Sequence, residues 1–103
     1  MKRVIFAALC AAVAFSAAAS ADEYGQATYY RNPRHGGLIA AHRTLPFGTQ
    51  IRVHNLDNGL STVVVIVDRG PYARGRIIDV STVAADVLGM RRAGVARVRL
   101  ERL

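Results

Sequence analysis

Seven carboxylates are the whole supply of acids in this chain: Asp22, Glu23, Asp57, Asp68, Asp79, Asp86 and Glu101. A reaction that moves a proton near neutral pH must draw on these, on His35, His42 or His54, or on a tyrosine. Asp68 and Asp79 stand apart because each follows an apolar run, Val63 through Val67 in one case and Ile77-Ile78 in the other. A strand of that kind would deliver its aspartate rigidly to a rim, and partial desolvation there is what fits a carboxyl for general-acid duty. Each also has a structural reading. Asp68 before Arg69-Gly70-Pro71 fits a turn-initiating aspartate paired to arginine, and Asp79, two residues ahead of a helix cap, fits a partner for free helix amides. Three duties are open to His42: ligand, proton carrier or buried structural imidazole. His35 in a loop and His54 in the polar phase of a strand are weaker candidates. Tyr29, Tyr30 and Tyr72 fit either a floor on which sugar rings stack or ordinary packing. The histidines lack metal-site spacing, and no glycine-rich phosphate loop or serine elbow occurs, so neither a metal nor a cofactor is expected.

The elements that must hold these residues are mostly strands. Gly25 to Tyr30, Gln50 to Asn55 and Val95 to Leu100 alternate, while Ser61 to Val67 is β-branched on both faces and so is expected to be the most buried strand. Between Gln50 to Asn55 and Ser61 to Val67, Asp57-Asn58-Gly59 reads as a hairpin turn with positive φ at both central positions. Arg31 to Gly37 is a loop by composition, and Leu38 to Ala41 is a short strand or a turn of helix. After a strand at Arg76 to Val80, the spacing of Val80, Val83, Ala84, Val87 and Leu88 predicts a helix over Ser81 to Leu88, capped by Ser81 and ended by Gly89, with those apolar residues facing the core.

Met1-Lys2-Arg3, the apolar run Val4 through Phe15 and Ala19-Ser20-Ala21 together read as a cleaved export signal, leaving residues 22–103 as one small domain. The run decays into Ser and Ala before reaching the roughly 20 apolar residues of a spanning helix, so no membrane anchor is expected. Cys10, the only cysteine, lies inside the signal after Leu9, where a lipoprotein signal has a small residue. Thiol nucleophiles, disulfides and cysteine zinc sites are thereby excluded from the exported part. The formal charge is +7, from 14 Lys and Arg against 7 acids. On a cytoplasmic domain that surplus would suggest nucleic acid. An exported chain meets cell-wall polymers instead, so nucleic acid is not an expected partner.

Five segments occur in order: Gly25-Gln26-Ala27-Thr28-Tyr29-Tyr30, Ala40 through Thr49 (AAHRTLPFGT), Val53 through Gly59 (VHNLDNG), Asp68-Arg69-Gly70-Pro71, and Arg76 through Ser81 (RIIDVS). The series resembles the rare lipoprotein A family of double-psi β-barrels, over Gly25 to Leu103. That resemblance implies a mainly β fold, a six-stranded double-psi β-barrel with one short helix, whose groove takes glycan strands of peptidoglycan. It also implies a lytic transglycosylase, which breaks the bond between N-acetylmuramic acid and N-acetylglucosamine without water and leaves a 1,6-anhydro end. One carboxyl protonates the glycosidic oxygen and then takes the proton of the sugar's own 6-hydroxyl, where a hydrolase needs a second carboxylate.

On this resemblance the catalytic aspartate falls on Asp68 and the active-site histidine on His42. Thr28, Tyr30, Arg43, Arg69, Tyr72 and Asp79 are the expected glycan-binding residues. The family's glutamate, in a Gly-Glu pair before Ala-Ala-His, has no counterpart, since Arg31 to Ile39 contains no acid. Thr28, Asp68 and Asp79 are also similar to residues lining the groove of bacterial expansins, which loosen wall polymers without cutting them. The alternative is therefore a non-catalytic, expansin-like glycan-binding or wall-loosening barrel. The implied location is periplasmic or secreted, and the expected state is a monomer. Geometrically, Asp68, Asp79 and His42 are expected to meet at one groove rimmed by Arg31, Arg34, Arg43, Arg69 and Arg74.

Overall fold

The computed structural model describes residues 22–103, and the expected export signal lies outside the described residues. Six strands occupy Glu23–Tyr30 (β1), Ile39–Ala41 (β2), Gln50–Asn55 (β3), Ser61–Asp68 (β4), Arg76–Ser81 (β5) and Ala96–Arg102 (β6), with one helix, α1, at Thr82–Val87. They hydrogen-bond in the closed order β1-β5-β2-β4-β3-β6. β1 with β5 and β2 with β4 run parallel, and the remaining seams are antiparallel. Exchanging β1 for β4, β2 for β5 and β3 for β6 returns the same ring, which is the internal two-fold of a double-psi barrel. Closure leaves no free strand edge among the six.

The alternation of β3 and β6 is realised residue by residue: Ile51, Val53, Val98 and Leu100 are buried while Arg52, Arg97 and Arg99 face outward. β4 departs from its expectation. Val64 and Ile66 are buried, but Val63, Val65 and Val67 are only half covered, and β2 and β5 bury more of their length. An apolar outer face needs only partial cover from neighbouring side chains, which a composition of β-branched residues does not distinguish from full burial. The hairpin turn also differs, because Gly59 has φ +83° while no other residue type has positive φ. Asn55 N–H donates to Leu60 O at 2.8 Å and Gly59 N–H to Asn55 O at 2.8 Å, so the connection spans Leu56 to Leu60.

The helix is capped as expected, with Ser81 Oγ accepting from Ala84 N–H at 3.1 Å, but its phase is shifted. Ala84, Ala85 and Leu88 are buried while Val83 and Val87 are exposed. Val80 belongs to β5, so the helical period starts after it; of the positions counted from Val80 in the helix, Ala84 and Leu88 face the core and Val83 and Val87 do not. Buried Asn55 donates its amide to Leu88 O at 2.8 Å, satisfying a carbonyl left free at the helix end. Among the described residues no helix is long and apolar enough to cross a membrane.

Candidate active site

Strand register alone assembles a row of side chains on the outer face. Thr28 on β1 pairs with Asp79 on β5, Asp79 with Ala41 on β2, and Ala41 with Asp68 on β4. Directly paired residues project to the same side of a sheet, so the two aspartates flank Ala41 about 10 Å apart at their Cα atoms, two strand spacings. The β4 register shift between Ala40 and Ala41 brings Asp68 into this row in place of Val67. A second close fit supports the β1–β5 side: a Cβ on Gly25 would lie 2.7 Å from Ile77 Cγ2, beside the register shift in that pair.

Hydrogen bonds tie the row together. Thr28 hydroxyl donates to Asp79 Oδ1. Tyr30, two residues further along β1, donates its phenol to Asp68 Oδ2 at 3.2 Å, and Arg69 N–H donates to Asp68 Oδ1 at 2.9 Å. Burial holds the Tyr30 phenol above its ordinary range; the Asn32 amide pulls it partly back, and the charges of Asp68 and Asp79 push it further up. Tyr30 is therefore a neutral donor to the carboxylate at working pH. Asp68 lies in the wall of an open cavity of about 270 Å³ lined by Asn32, Pro33, Arg34, His35 and Val67.

Ion pairing sorts the seven acids. Asp22 pairs with Arg99, Glu23 contacts His42, Asp57 pairs with Arg97, Asp86 with Arg91, and Glu101 contacts His54 and Arg52. Asp68 and Asp79 alone have neither an arginine nor an imidazole partner among the described residues, although basic residues outnumber acids two to one. The Asp68–Arg69 side-chain pair of the structural reading does not form; only the Arg69 backbone N–H donates to Asp68.

His42 lies elsewhere. Its backbone N–H donates to Asp68 O at 3.1 Å, but its imidazole turns into a separate cavity of about 300 Å³ lined by Glu23, Thr44, Leu45, Ile51, Leu100 and Arg102. Nδ1 accepts from the backbone N–H of Thr44 at 3.1 Å and of Leu45 at 3.2 Å. That nitrogen is thus unprotonated, and Nε2–H donates to Glu23 Oε1 at 2.9 Å from a neutral ring. The expectation that His42 joins the two aspartates in one groove is corrected: its peptide does and its side chain does not, because two backbone donors and Glu23 hold the ring away.

The arginines divide in the same manner. Arg69 Nη1 donates to the carbonyls of His42 at 3.2 Å and Leu45 at 2.8 Å, and its guanidinium stacks 4.3 Å from the Phe47 ring centroid. It clamps the segment that follows β2 and does not reach into the groove. Arg34 lines the Asp68 cavity, whereas Arg31, Arg43 and Arg74 are exposed and line none of the cavities described. Tyr72 is 73% exposed, near Gly70. Among the described residues no three His, Cys, Asp or Glu side chains gather as a metal site requires. Sequence reasoning missed Asn32, whose amide donates to the Tyr30 phenol at 3.0 Å. The signal available was Asn32-Pro33, a turn-initiating pair.

The lytic transglycolase family matches residues 23–100. The protein of Nostoc sp. named "Probable endolytic peptidoglycan transglycosylase RlpA" is 64% identical over 64 residues, covering 62% of this chain and 17% of that protein. The endolytic peptidoglycan transglycosylase RlpA of Vibrio cholerae is 45% identical over 91 residues, covering 77% of this chain and 35% of its own length. The chain thus spans well under half the length of these relatives. Among solved structures, the expansin of Clavibacter michiganensis superposes with a TM-score of 0.67 at 18% identity, covering 81% of this chain and 50% of that one. A similarity at that identity speaks to the fold alone.

Proposed function

This chain belongs to the lytic transglycolase family as an RlpA-like double-psi β-barrel, and from that membership we propose that it cleaves the glycan of peptidoglycan between N-acetylmuramic acid and N-acetylglucosamine, with Asp68 as acid and base. The observation that carries this reading is the isolation of Asp68: an unpaired carboxyl in an open cavity, held only by a neutral phenol and a backbone amide. The protonated carboxyl gives its proton to the glycosidic oxygen as the C1–O bond breaks. The carboxylate then takes the proton of the 6-hydroxyl while O6 bonds to C1. No water is consumed, and Asp68 returns to its starting state.

The neighbours have binding roles in this proposal. Asp79, oriented by Thr28, presents its free oxygen to sugar hydroxyls, and Tyr72 and Arg43, both exposed, are assigned to glycan contact on the family resemblance alone. Arg69 and His42 act at one remove, by fixing the segment that follows β2. The protein works as an exported monomer, periplasmic or secreted; the opening pattern of residues 1–21 supports export. Digestion of purified peptidoglycan followed by mass analysis tests the reaction. Released fragments should be lighter by one water than hydrolysed ones.

The expansin-like reading has its own supporting observation. The loop from Arg31 to Ile39 supplies no carboxylate, so Asp68 and Asp79 are the only acids in the row, and Thr28 already engages Asp79. Binding of glycan without release of fragments would favour that reading.

A further inference from the structure

The loop between β1 and β2 reaches the site through one side chain. Asn32 Oδ1 accepts from the backbone N–H of Arg34 at 2.8 Å and of His35 at 3.0 Å, while its Nδ2 donates to the Tyr30 phenol at 3.0 Å. The two backbone donors determine which end of the amide is oxygen, since a flipped amide would set NH₂ against N–H. A phenol has a single proton. With Asn32 donating to the Tyr30 oxygen, that proton is committed to Asp68 Oδ2, 3.2 Å away. The same turn that aims the amide also places Arg34 and His35 in the wall of the cavity containing Asp68.

We propose that Asn32 is a positioning residue that couples the cavity wall to the Asp68 carboxyl through Tyr30, so that loop and carboxyl are set as one unit. The kinetic part of this inference rests on the lytic reading; the coupling itself does not. Removing the Asn32 amide frees the phenol proton to point elsewhere and releases the turn bearing Arg34 and His35. Charged groups facing Tyr30 are Asp68 from β4 and Asp79 from β5, with Arg34 and His35 in the wall of the adjoining cavity.

A cycle of variants separates this coupling from a merely structural role. The variant is Asn32→Ser in the full chain, whose shorter hydroxyl keeps a weaker turn acceptor but does not reach Tyr30. The ¹³C shift of the Tyr30 hydroxyl-bearing carbon at neutral pH reads the hydrogen bonds of the phenol. If Asn32 only held the loop in place, Asn32→Ser would move that shift equally with Asp68 present or truncated in Asp68→Ala. If it couples as proposed, the two changes are non-additive, because the amide aims the proton that Asp68 accepts. Additive changes, or no change on Asn32→Ser, overturn the proposal.

Kinetics supply the second arm. Asn32→Ser should lower kcat about 3- to 10-fold, and in a Tyr30→Phe background it should lower kcat no further. Equal falls in both backgrounds overturn the coupling. Non-additive Tyr30 shifts in a protein whose wild type releases no anhydro fragments support the coupling and overturn the lytic reading instead.

Discussion

Truncating His42 to alanine should damage folding far more than a surface histidine would. The side chain is 5% exposed. Its Nδ1 is the acceptor for two backbone N–H groups, and its Nε2–H fills a third hydrogen bond to the half-exposed Glu23. Each net hydrogen bond contributes about 1 kcal/mol, and donors stranded without an acceptor cost more. The loss should therefore come to about 3 kcal/mol. For a domain of this size each kcal/mol moves the melting point by about 4–8 °C, so His42→Ala should melt roughly 12–24 °C lower. His42→Asn is the informative control. Its Oδ1 occupies nearly the position of Nδ1 and accepts naturally from amides two and three residues ahead, as in Asx turns. It should stay within about 1 kcal/mol of wild type. Urea denaturation followed by far-UV circular dichroism reads both. A His42→Ala midpoint equal to wild type, or a His42→Asn variant as unstable as His42→Ala, refutes the structural assignment of the ring.

Gly25→Ala should destabilise by about 1–3 kcal/mol by overpacking, because the added methyl would sit 2.7 Å from Ile77 Cγ2; thermal melting checks it, and an unchanged midpoint means the β1–β5 seam relaxes freely. Asp57 is held below the usual carboxylate range by hydrogen bonds from the Arg97 side chain and backbone and by the Arg97 charge. Its contribution to stability is present above the unfolded value, about 3.9, and is lost as pH falls through the lowered folded value. Asp57→Asn should thus narrow the difference in urea midpoint between pH 7 and strong acid. Thr28→Val removes the donor to Asp79 at nearly constant volume, so glycan affinity measured by pull-down with sacculi should drop about 3- to 10-fold with little change in melting.

Periodic elements were legible in advance because their burial follows from period alone. β3 and β6 alternate cleanly, and Ser81 caps α1 where its position demanded. The helix phase was not legible, because whether Val80 is the last strand residue or the first helical one is decided by its pairing with Tyr29 and Ala40 on neighbouring strands. Asp68 and Asp79 could be singled out from the apolar runs before them, and the family resemblance supplied the six-stranded closed barrel. Their common row depends on a register shift in β4 that leaves no mark in composition. The orientation of His42 depends on backbone amides just after it and on Glu23 from another strand, so residue type could not separate a proton carrier from a structural ring. Asn32 was hidden for a similar reason, since a loop asparagine becomes a partner of the site only once Tyr30 is known to face Asp68.

In the proposed reaction the unpaired carboxyl of Asp68 carries the proton in both halves of a water-free cleavage. Its most direct test is mass analysis of peptidoglycan digested side by side with wild type and Asp68→Asn. The amide keeps the size of the carboxyl and can still accept from Tyr30 and from the Arg69 backbone, but it neither gives nor takes a proton. Wild type should release fragments with anhydro ends. Asp68→Asn should release them at least about 10²-fold more slowly while still binding sacculi. Anhydro products formed at undiminished rate by Asp68→Asn, or a wild type that binds glycan and releases nothing, would contradict the account.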